Sequence, residues 1–190
     1  MKRKDFLSST AIGIGTLSFI PLINACKTES SKELINTSST EVSKIFQKPK
    51  VVKEDDGIKL NVLGDQQIIK LTGADTNEQY TLIEQHNEPG SGIPPHVHEN
   101  EDEVFQVLRG QVEMSIGDKM TTLEAGDIIF CPRGVPHSWK VVGNSKARTM
   151  LSIFPSGLET MFKELAALPS GPPDMEQVSL ICGKYDLKFI

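Results

Sequence analysis

The stretch "PPHVHENEDEVFQVLRG", residues 94–110, places His96 and His98 on either side of one residue, and Glu103 after a run of acids. Side chains two apart on a strand point to the same face, so both imidazoles can reach a single point. Two neutral imidazoles and one carboxylate are ligands that iron(II) and related divalent metals accept. The stretch therefore predicts one half of a metal site.

A second stretch, "GDIIFCPRGVPHSWK" at residues 126–140, offers a fourth ligand. Pro132 and Gly134 predict a turn, and His137 begins a strand after it, with Trp139 on the same face. The predicted metal ligands are His96, His98, Glu103 and His137. Four apolar side chains are assigned first to the core and second to the lining of the pocket: Phe105, Met114, Phe130 and Trp139.

The acids beside Glu103 are interpreted differently from Glu103 itself. Glu101 and Asp102 are expected to be solvated loop acids. The alternative is that Asp102 orients an imidazole.

Cys131 and Cys182 are expected to be buried free thiols, because two cysteines do not make a disulfide framework.

Composition and pattern indicate one soluble globular domain. The chain has 38% hydrophobic and 24% charged residues and a formal charge of −5. No basic run or basic-aromatic pattern appears, which argues against a nucleic-acid partner. From residue 58 to residue 154, short runs of β-branched and aromatic residues alternate with Gly, Asn, Asp and Pro, as is typical of an all-β barrel or sandwich.

Helical spacing replaces this pattern at residues 157–168 and 172–185. We expect these two helices to cap the barrel or to contact a partner. If Glu103 points inward, Val104 and Leu108 point outward, and this apolar strip indicates a partner subunit, as in a homodimer, or contact with the helices.

The N-terminal residues predict export. Lys2, Arg3 and Lys4 precede an apolar stretch, and residues 1–25 are interpreted as a signal peptide. Residues 23–26, "INAC", resemble a bacterial lipobox, which predicts lipidation of Cys26. An ordinary cleaved signal and a retained apolar anchor are the alternatives, and "RKDFL", with Lys4 where a twin-arginine signal has its second arginine, leaves the export route open.

The expected product is a periplasmic or cell-envelope lipoprotein of a bacterium, with membrane contact only through this anchor. Residues 26–54 are rich in Ser and Thr and predict a flexible tether. Residues 55–155 would then form the barrel, and residues 156–190 a C-terminal helical extension.

Nine spaced positions resemble the two motifs of the cupin superfamily, G-x5-H-x-H-x4-E-x6-G and G-x5-P-x-G-x2-H. They are Gly90, His96, His98, Glu103, Gly110, Gly126, Pro132, Gly134 and His137. The likeness is to single-domain, quercetin dioxygenase-like cupins. It implies a double-stranded β-helix, or jelly-roll barrel, followed here by two short C-terminal α-helices.

The resemblance also implies a function. In such cupins a divalent ion, which this ligand set allows to be Fe, Mn, Ni, Cu or Zn, binds the substrate hydroxyl, and the counterpart of Glu103 acts as catalytic base as well as ligand. The expected activity is dioxygenase-like oxidation of an enolic or phenolic small molecule by dioxygen. The alternatives are a non-enzymatic metal- or small-ligand-binding cupin at the envelope, and a metal-dependent isomerase. An isomerase should have basic residues inside the barrel, and none of Arg109, Arg133 and Arg148 is clearly interior.

Overall fold

A computed structural model of the chain describes residues 48–190. The predicted signal peptide, the predicted lipidation of Cys26 and residues 26–47 of the predicted tether lie outside the described residues. Within the tether, residues 48–53 form neither helix nor strand. They are nevertheless held in place, because Lys50 pairs with Asp75 at 2.7 Å and the buried ammonium of Lys70 donates a hydrogen bond to the carbonyl oxygen of Lys53.

The described residues form eleven strands and three helices. The strands are β1 (Ile58–Val62), β2 (Asp65–Leu71), β3 (Thr81–Asn87), β4 (Gly92–His98), β5 (Asp102–Arg109), β6 (Gln111–Ile116), β7 (Lys119–Glu124), β8 (Ile128–Cys131), β9 (His137–Val142), β10 (Ala147–Phe154) and β11 (Leu187–Phe189). The helices are α1 (Gly73–Thr76), α2 (Leu158–Ala166) and α3 (Met175–Gly183).

The strands form two antiparallel sheets. One has the order β1-β2-β3-β10-β5-β8, and the other has the order β11-β4-β9-β6-β7. In each sheet, strands that are distant in the sequence lie side by side, with β10 between β3 and β5 and β9 between β4 and β6, as in a jelly roll. The predicted all-β double-stranded β-helix with two short C-terminal helices is confirmed.

Strand register arranges the interior of the six-stranded sheet in rows. One row joins Glu103, Ile153 and Thr81, and the next is entirely apolar. The apolar row consists of Phe105, Leu151, Ile83 and Ile69. Each of these four side chains is at most 3% exposed, and complete burial of such a side chain contributes roughly 1.5–3 kcal/mol. The apolar row therefore fixes the register that brings Glu103 inside.

The two C-terminal helices cap the barrel. Helix α2 packs on β1, and α3 packs beside β11 and α2. The inward face of α2 carries Met161 and Leu165. Asp174 caps the N-terminus of α3, and its carboxylate accepts hydrogen bonds from two backbone amides of the first turn. Among residues 48–190, no helix combines the length and apolar character needed to cross a bilayer.

The outer face of β5 agrees with the predicted orientation. Glu103 is 3% exposed and points inward, whereas Leu108 is 37% exposed and points outward.

Cys131 and Cys182 are buried and free, as predicted.

Candidate metal centre

Four buried side chains with metal-ligating atoms converge between the two sheets. They are His96 and His98 on β4, Glu103 on β5 and His137 on β9. One ligand atom of each lies within 4.8 Å of those of the others, and every one of the four residues is at most 3% exposed. The structure thus brings together the four residues predicted as ligands.

Neighbouring strands explain the convergence. His96 on β4 faces His137 on β9 directly in the ladder, and His98 lies on the same face two residues further along. The turn before β9 is bonded to β4, since the backbone amide of Gly134 donates to the carbonyl oxygen of His98 at 2.7 Å. Gly134 has a φ of 73°, which glycine adopts without strain. Glu103 completes the site from the opposite sheet.

Backbone carbonyls orient two of the rings. Nδ1 of His96 lies 3.0 Å from the oxygen of Pro94, and Nδ1 of His137 lies 3.2 Å from the oxygen of Val135. A carbonyl oxygen can only accept, so each Nδ1 carries a hydrogen and Nε2 is the atom left to face a metal ion. This is the usual arrangement of a metal-binding histidine.

The contacts of the Nε2 atoms test whether a cation fits. Nε2 of His137 lies 3.0 Å from Oε2 of Glu103. Nε2 of His98 lies 3.6 Å from Oε1 of the same carboxylate, and this nitrogen has no hydrogen-bond partner. A lone pair and a carboxylate oxygen at 3.0 Å attract each other only through a cation, either a proton on the ring or a metal ion. The donor set of three imidazoles and one carboxylate suits a divalent transition metal.

The pKa values of two of the ligands, His96 and Glu103, also suit metal binding. Burial, together with the charge of His137, lowers the pKa of His96 to about 4, so its ring is neutral at pH 7. Burial raises the pKa of Glu103, but the hydrogen bond from His137 and the charges of the three histidines outweigh it and leave the pKa below its ordinary value. A neutral imidazole and an ionised carboxylate are the forms that coordinate metals.

Of the two acids next to Glu103, Asp102 points outward, in agreement with its first assignment, and Glu101 does not. Glu101 is 8% exposed, and its Oε2 lies 3.6 Å from Nδ1 of His98, so it is the carboxylate that faces an imidazole. This contact and the charge of Glu103 raise the pKa of His98 against the lowering effect of its burial. Asp102, which starts β5 one residue before Glu103, points outward and accepts two hydrogen bonds from the side chain of Arg133 at 2.8 and 3.1 Å. The interpretation of Glu101 as a solvated acid was therefore wrong.

A cavity of about 270 Å³ opens beside three of the four candidate ligands, His96, His98 and Glu103. Phe105 and Trp139 line it, as predicted from the strand pattern. Met114 does not line it, because this fully buried residue lies on β6, opposite Trp139 in the ladder. The first assignment of Met114, to the core, is confirmed, whereas both assignments of Phe130 are wrong. Phe130 lies opposite Val104 on β5, shares its outward direction, and is 56% exposed.

The sequence interpretation missed two parts of the cavity wall. Helices α2 and α3 and strand β11 contribute apolar side chains to the wall: Met161, Phe162, Leu165, Val178, Leu187 and Phe189. Polar residues of β2 and β3 contribute Asp65, Gln67 and Gln85. Gln67 and Gln85 lie two residues from Ile69 and Ile83, which are interior, so strand alternation carried the signal for both glutamines.

Comparison with known proteins matches the part of the chain that contains the four candidate ligands. A family model described as "Cupin domain" matches residues 83–154. Germin-like protein 3-5 of Oryza sativa subsp. japonica is 32% identical over an alignment that covers 45% of this chain and 41% of that protein. Oxalate oxidase 2 of Hordeum vulgare is 30% identical with the same coverage. The chain thus spans about two fifths of the length of these curated relatives.

Solved structures resemble the fold at lower identity. KdgF from Halomonas sp. superposes with a TM-score of 0.53 at 18% identity, over 58% of this chain and 99% of that one. A protein from Thermotoga maritima described as a predicted oxalate decarboxylase has a TM-score of 0.50 at 24% identity, over 56% of this chain and 99% of that one. At these identities the likeness concerns the fold alone.

Proposed function

The cupin superfamily is thus supported for this chain, and on that premise we propose that it is a metal-dependent oxidoreductase. Its substrates would be dioxygen and an enolic or phenolic small molecule. The observation that carries the proposal is a buried cluster of four ligand side chains, His96, His98, Glu103 and His137, of which the first three line a mainly apolar cavity. Such a cavity with a few convergent polar groups is the usual form of a small-molecule site.

Glu103 is the residue placed to move a proton. A divalent cation bound by the four side chains would lower the pKa of a coordinated hydroxyl and supply the Lewis acid and redox chemistry. Glu103 is ionised, lines the cavity, and has its Oε2 engaged with His137. Its other oxygen, Oε1, is therefore the atom that accepts the proton of the substrate hydroxyl. Both roles, ligand and base, fall on one carboxylate.

The walls of the cavity favour an aromatic or enolic substrate. Phe105, Trp139 and Leu151 present apolar surface next to the ligands, and this surface excludes water. Among the described residues that line the cavity, none is Lys or Arg. An isomerase of phosphorylated or strongly anionic substrates would need such a cation to bind the charge, so the isomerase alternative has less support.

Metal analysis and oxygen consumption test the proposal together. The purified protein is loaded separately with Fe, Mn, Ni, Cu or Zn, and oxygen uptake is followed with a panel of flavonols and simple enols. We expect one equivalent of metal, and uptake with at least one ion and one substrate. A His96→Ala, His98→Ala double variant should lose both. His86→Ala is the matched control, because the His86 side chain is 46% exposed and lies outside the cavity.

The outcomes separate the candidate functions. Metal content that stays substoichiometric and does not change in the double variant would exclude a metalloenzyme. Full metal content without oxygen uptake across the panel would favour the second candidate, a non-enzymatic metal- or ligand-binding cupin.

The proposed place of action is the bacterial cell envelope, and this part rests on the sequence of residues 1–26 alone. A protein exported as a lipoprotein should incorporate labelled palmitate in cells, and Cys26→Ser should abolish the label. A wild-type chain that stays unlabelled in the cytoplasmic fraction would contradict export as a lipoprotein.

A further inference from the structure

The outward face of the six-stranded sheet has a covered part and an open part. Residues 50–56 run over β2 and β3, where the buried ammonium of Lys70 donates hydrogen bonds to the carbonyl oxygens of Lys53 and Asp56 at 3.3 and 3.1 Å. Glu84 points outward on β3, 3.3 Å from the same ammonium, and is only 2% exposed because of this cover. The part of the face at β5 and β8 is open, as the exposure of its side chains shows.

Four large apolar side chains are exposed on the open part. Ile128 and Phe130 on β8 are 62% and 56% exposed, and Leu108 on β5 and Phe154 on β10 are 37% and 38% exposed. They share one surface, because Phe130 lies directly opposite Val104 on β5, and β10 is the other neighbour of β5. The name apolar face is used below for the outward residues within 104–108, 128–130 and 150–154.

The grouping of these side chains distinguishes the apolar face from the rest of the surface. Single exposed apolar residues are normal on any protein, and among residues 48–190 Met120 on β7 and Leu180 on α3 are examples. A contiguous apolar patch is less common on a monomer and marks a surface that binds another molecule. The apolar face therefore has the character of an interface.

Charge restricts the kind of partner. The outward residues of the apolar face include no Asp, Glu, Lys or Arg. The charges at its ends are already paired, since Arg148 binds Glu84 at one end and Asp102 binds Arg133 at 2.8 Å at the other. A nucleic acid, an anionic lipid surface or a highly charged protein would need opposite charges across the contact. The apolar face fits an uncharged apolar surface instead.

We propose that the apolar face binds the same face of a second copy of the chain and forms a two-fold symmetric dimer. A two-fold contact uses one surface twice, so the surface must be compatible with itself, and an uncharged sheet face meets this condition. The formal charge of −5 makes two copies repel each other, and this repulsion is weakest where the surface carries no charge. Glu103 and Val104 point to opposite faces of β5, so the second copy packs behind the strand that supplies Glu103. The proposal is independent of the proposed function.

The dimensions of the apolar face set the expected strength of the dimer. Strands β5 and β10 have eight residues each, which gives a length of about 27 Å, and three strands are roughly 14 Å wide. Because β8 is shorter, the flat area is roughly 300 Å², whereas a stable interface buries about 800 Å² per partner. Residues around the face must join the contact, and we expect a reversible dimer with a Kd of about 1–100 μM.

Sedimentation velocity of the purified full chain, from about 5 to about 500 μM, brackets the affinity of such a small interface. The mass should rise with concentration from the 20.9 kDa of one chain to twice that value. Phe130→Glu should weaken the dimer at least about thirtyfold, because it removes an aromatic anchor and brings two like charges together across the two-fold axis. Met120→Glu is the matched control, since Met120 is also an exposed apolar strand residue but lies on the other sheet, and it should dimerise like the wild type.

Photo-cross-linking of the full chain identifies the molecule that occupies the face. The photoreactive p-benzoylphenylalanine replaces Phe130, and isotope-labelled and unlabelled protein are mixed before irradiation. We expect cross-links that join a labelled chain to an unlabelled one and that end within the apolar face.

A chain that stays monomeric up to about 500 μM would overturn the proposal, because even a weak interface would be occupied there. Self-association that survives in Phe130→Glu, or that continues beyond two copies without limit, would overturn it as well. Cross-links confined to one chain, including its first 47 residues, would mean that the chain covers its own apolar face and not that of a partner. The wild-type measurement needs no variant, so it decides the matter even if Phe130→Glu does not fold.

Discussion

Glu101 offers a sharp test of the candidate metal centre, because it touches one ligand without being a ligand. Its Oε2 lies 3.6 Å from Nδ1 of His98, and both side chains are buried. Glu101→Gln keeps the shape of the side chain and removes its charge. We expect the variant to fold and to bind metal more weakly, because a neutral oxygen holds the Nδ1 hydrogen of a ligating imidazole less strongly than a carboxylate does.

The size of the effect follows from the contact. Loss of a carboxylate behind a ligating histidine typically costs 10–100-fold in metal affinity. The separation of 3.6 Å exceeds an ideal hydrogen bond, which places Glu101 at the lower end, about tenfold or 1.4 kcal/mol. At a fixed, saturating metal concentration the free energy of unfolding falls by the same amount. For a domain of about 150 residues this lowers Tm by roughly 3–6 °C.

Metal affinity is measured by competition with a chelator of known affinity, and Tm is measured with and without metal. Glu99→Gln is the matched control, since Glu99 is two residues away, exposed, and paired with Lys188. The reasoning is refuted if Glu101→Gln binds metal as tightly as the wild type, or if Glu99→Gln loses as much affinity. A Tm difference that persists without metal would show that Glu101 stabilises the loop and not the centre.

Three further predictions concern stability and reactivity. Chelation of bound metal should lower Tm by roughly 5–11 °C if metal is present at about a hundred times its Kd, and an unchanged melting curve would contradict a resident ion. Met161→Ala should lower the free energy of unfolding in urea by about 2–5 kcal/mol, because Met161 is 1% exposed, whereas Leu180→Ala, at a position 66% exposed on α3, should change it by less than about 0.5 kcal/mol. Burial raises the pKa of Cys131 to about 12 and that of Cys182 to about 11, so neither thiol should be alkylated at pH 8 until urea unfolds the protein, as mass spectrometry would show.

The ligands of the centre were predictable because their chemistry and their spacing coincide. His96 and His98 share a face by strand alternation alone, and His137 follows a turn that Gly134 marks clearly. Glu101 was not predictable in the same way. It lies in a run of acids between two strands, where the sequence does not state which carboxylate turns back toward β4.

Two strands show no apolar alternation in the sequence, for physical reasons. In β7 only Leu123 is buried, because this strand lies at the edge of its sheet, and an exposed edge needs no apolar alternation. In β11 three residues are too few to show a period, and their pairing with β4 is a tertiary contact. Phe130 shows the converse error, since an aromatic residue in a strand was taken as interior although the register with Val104 turns it outward.

The pairing of β11 with β4 also sets the order in which the site can form. Leu187 lies opposite His98 and Phe189 opposite His96, so the strand that carries two ligands gains its outer neighbour about ninety residues later in the chain. During synthesis on the ribosome, both imidazoles emerge well before this neighbour exists, and contacts so distant in sequence form slowly. The closed pocket is therefore a product of late folding, and a nascent chain that ends before residue 187 leaves one edge of β4 without its backbone partners.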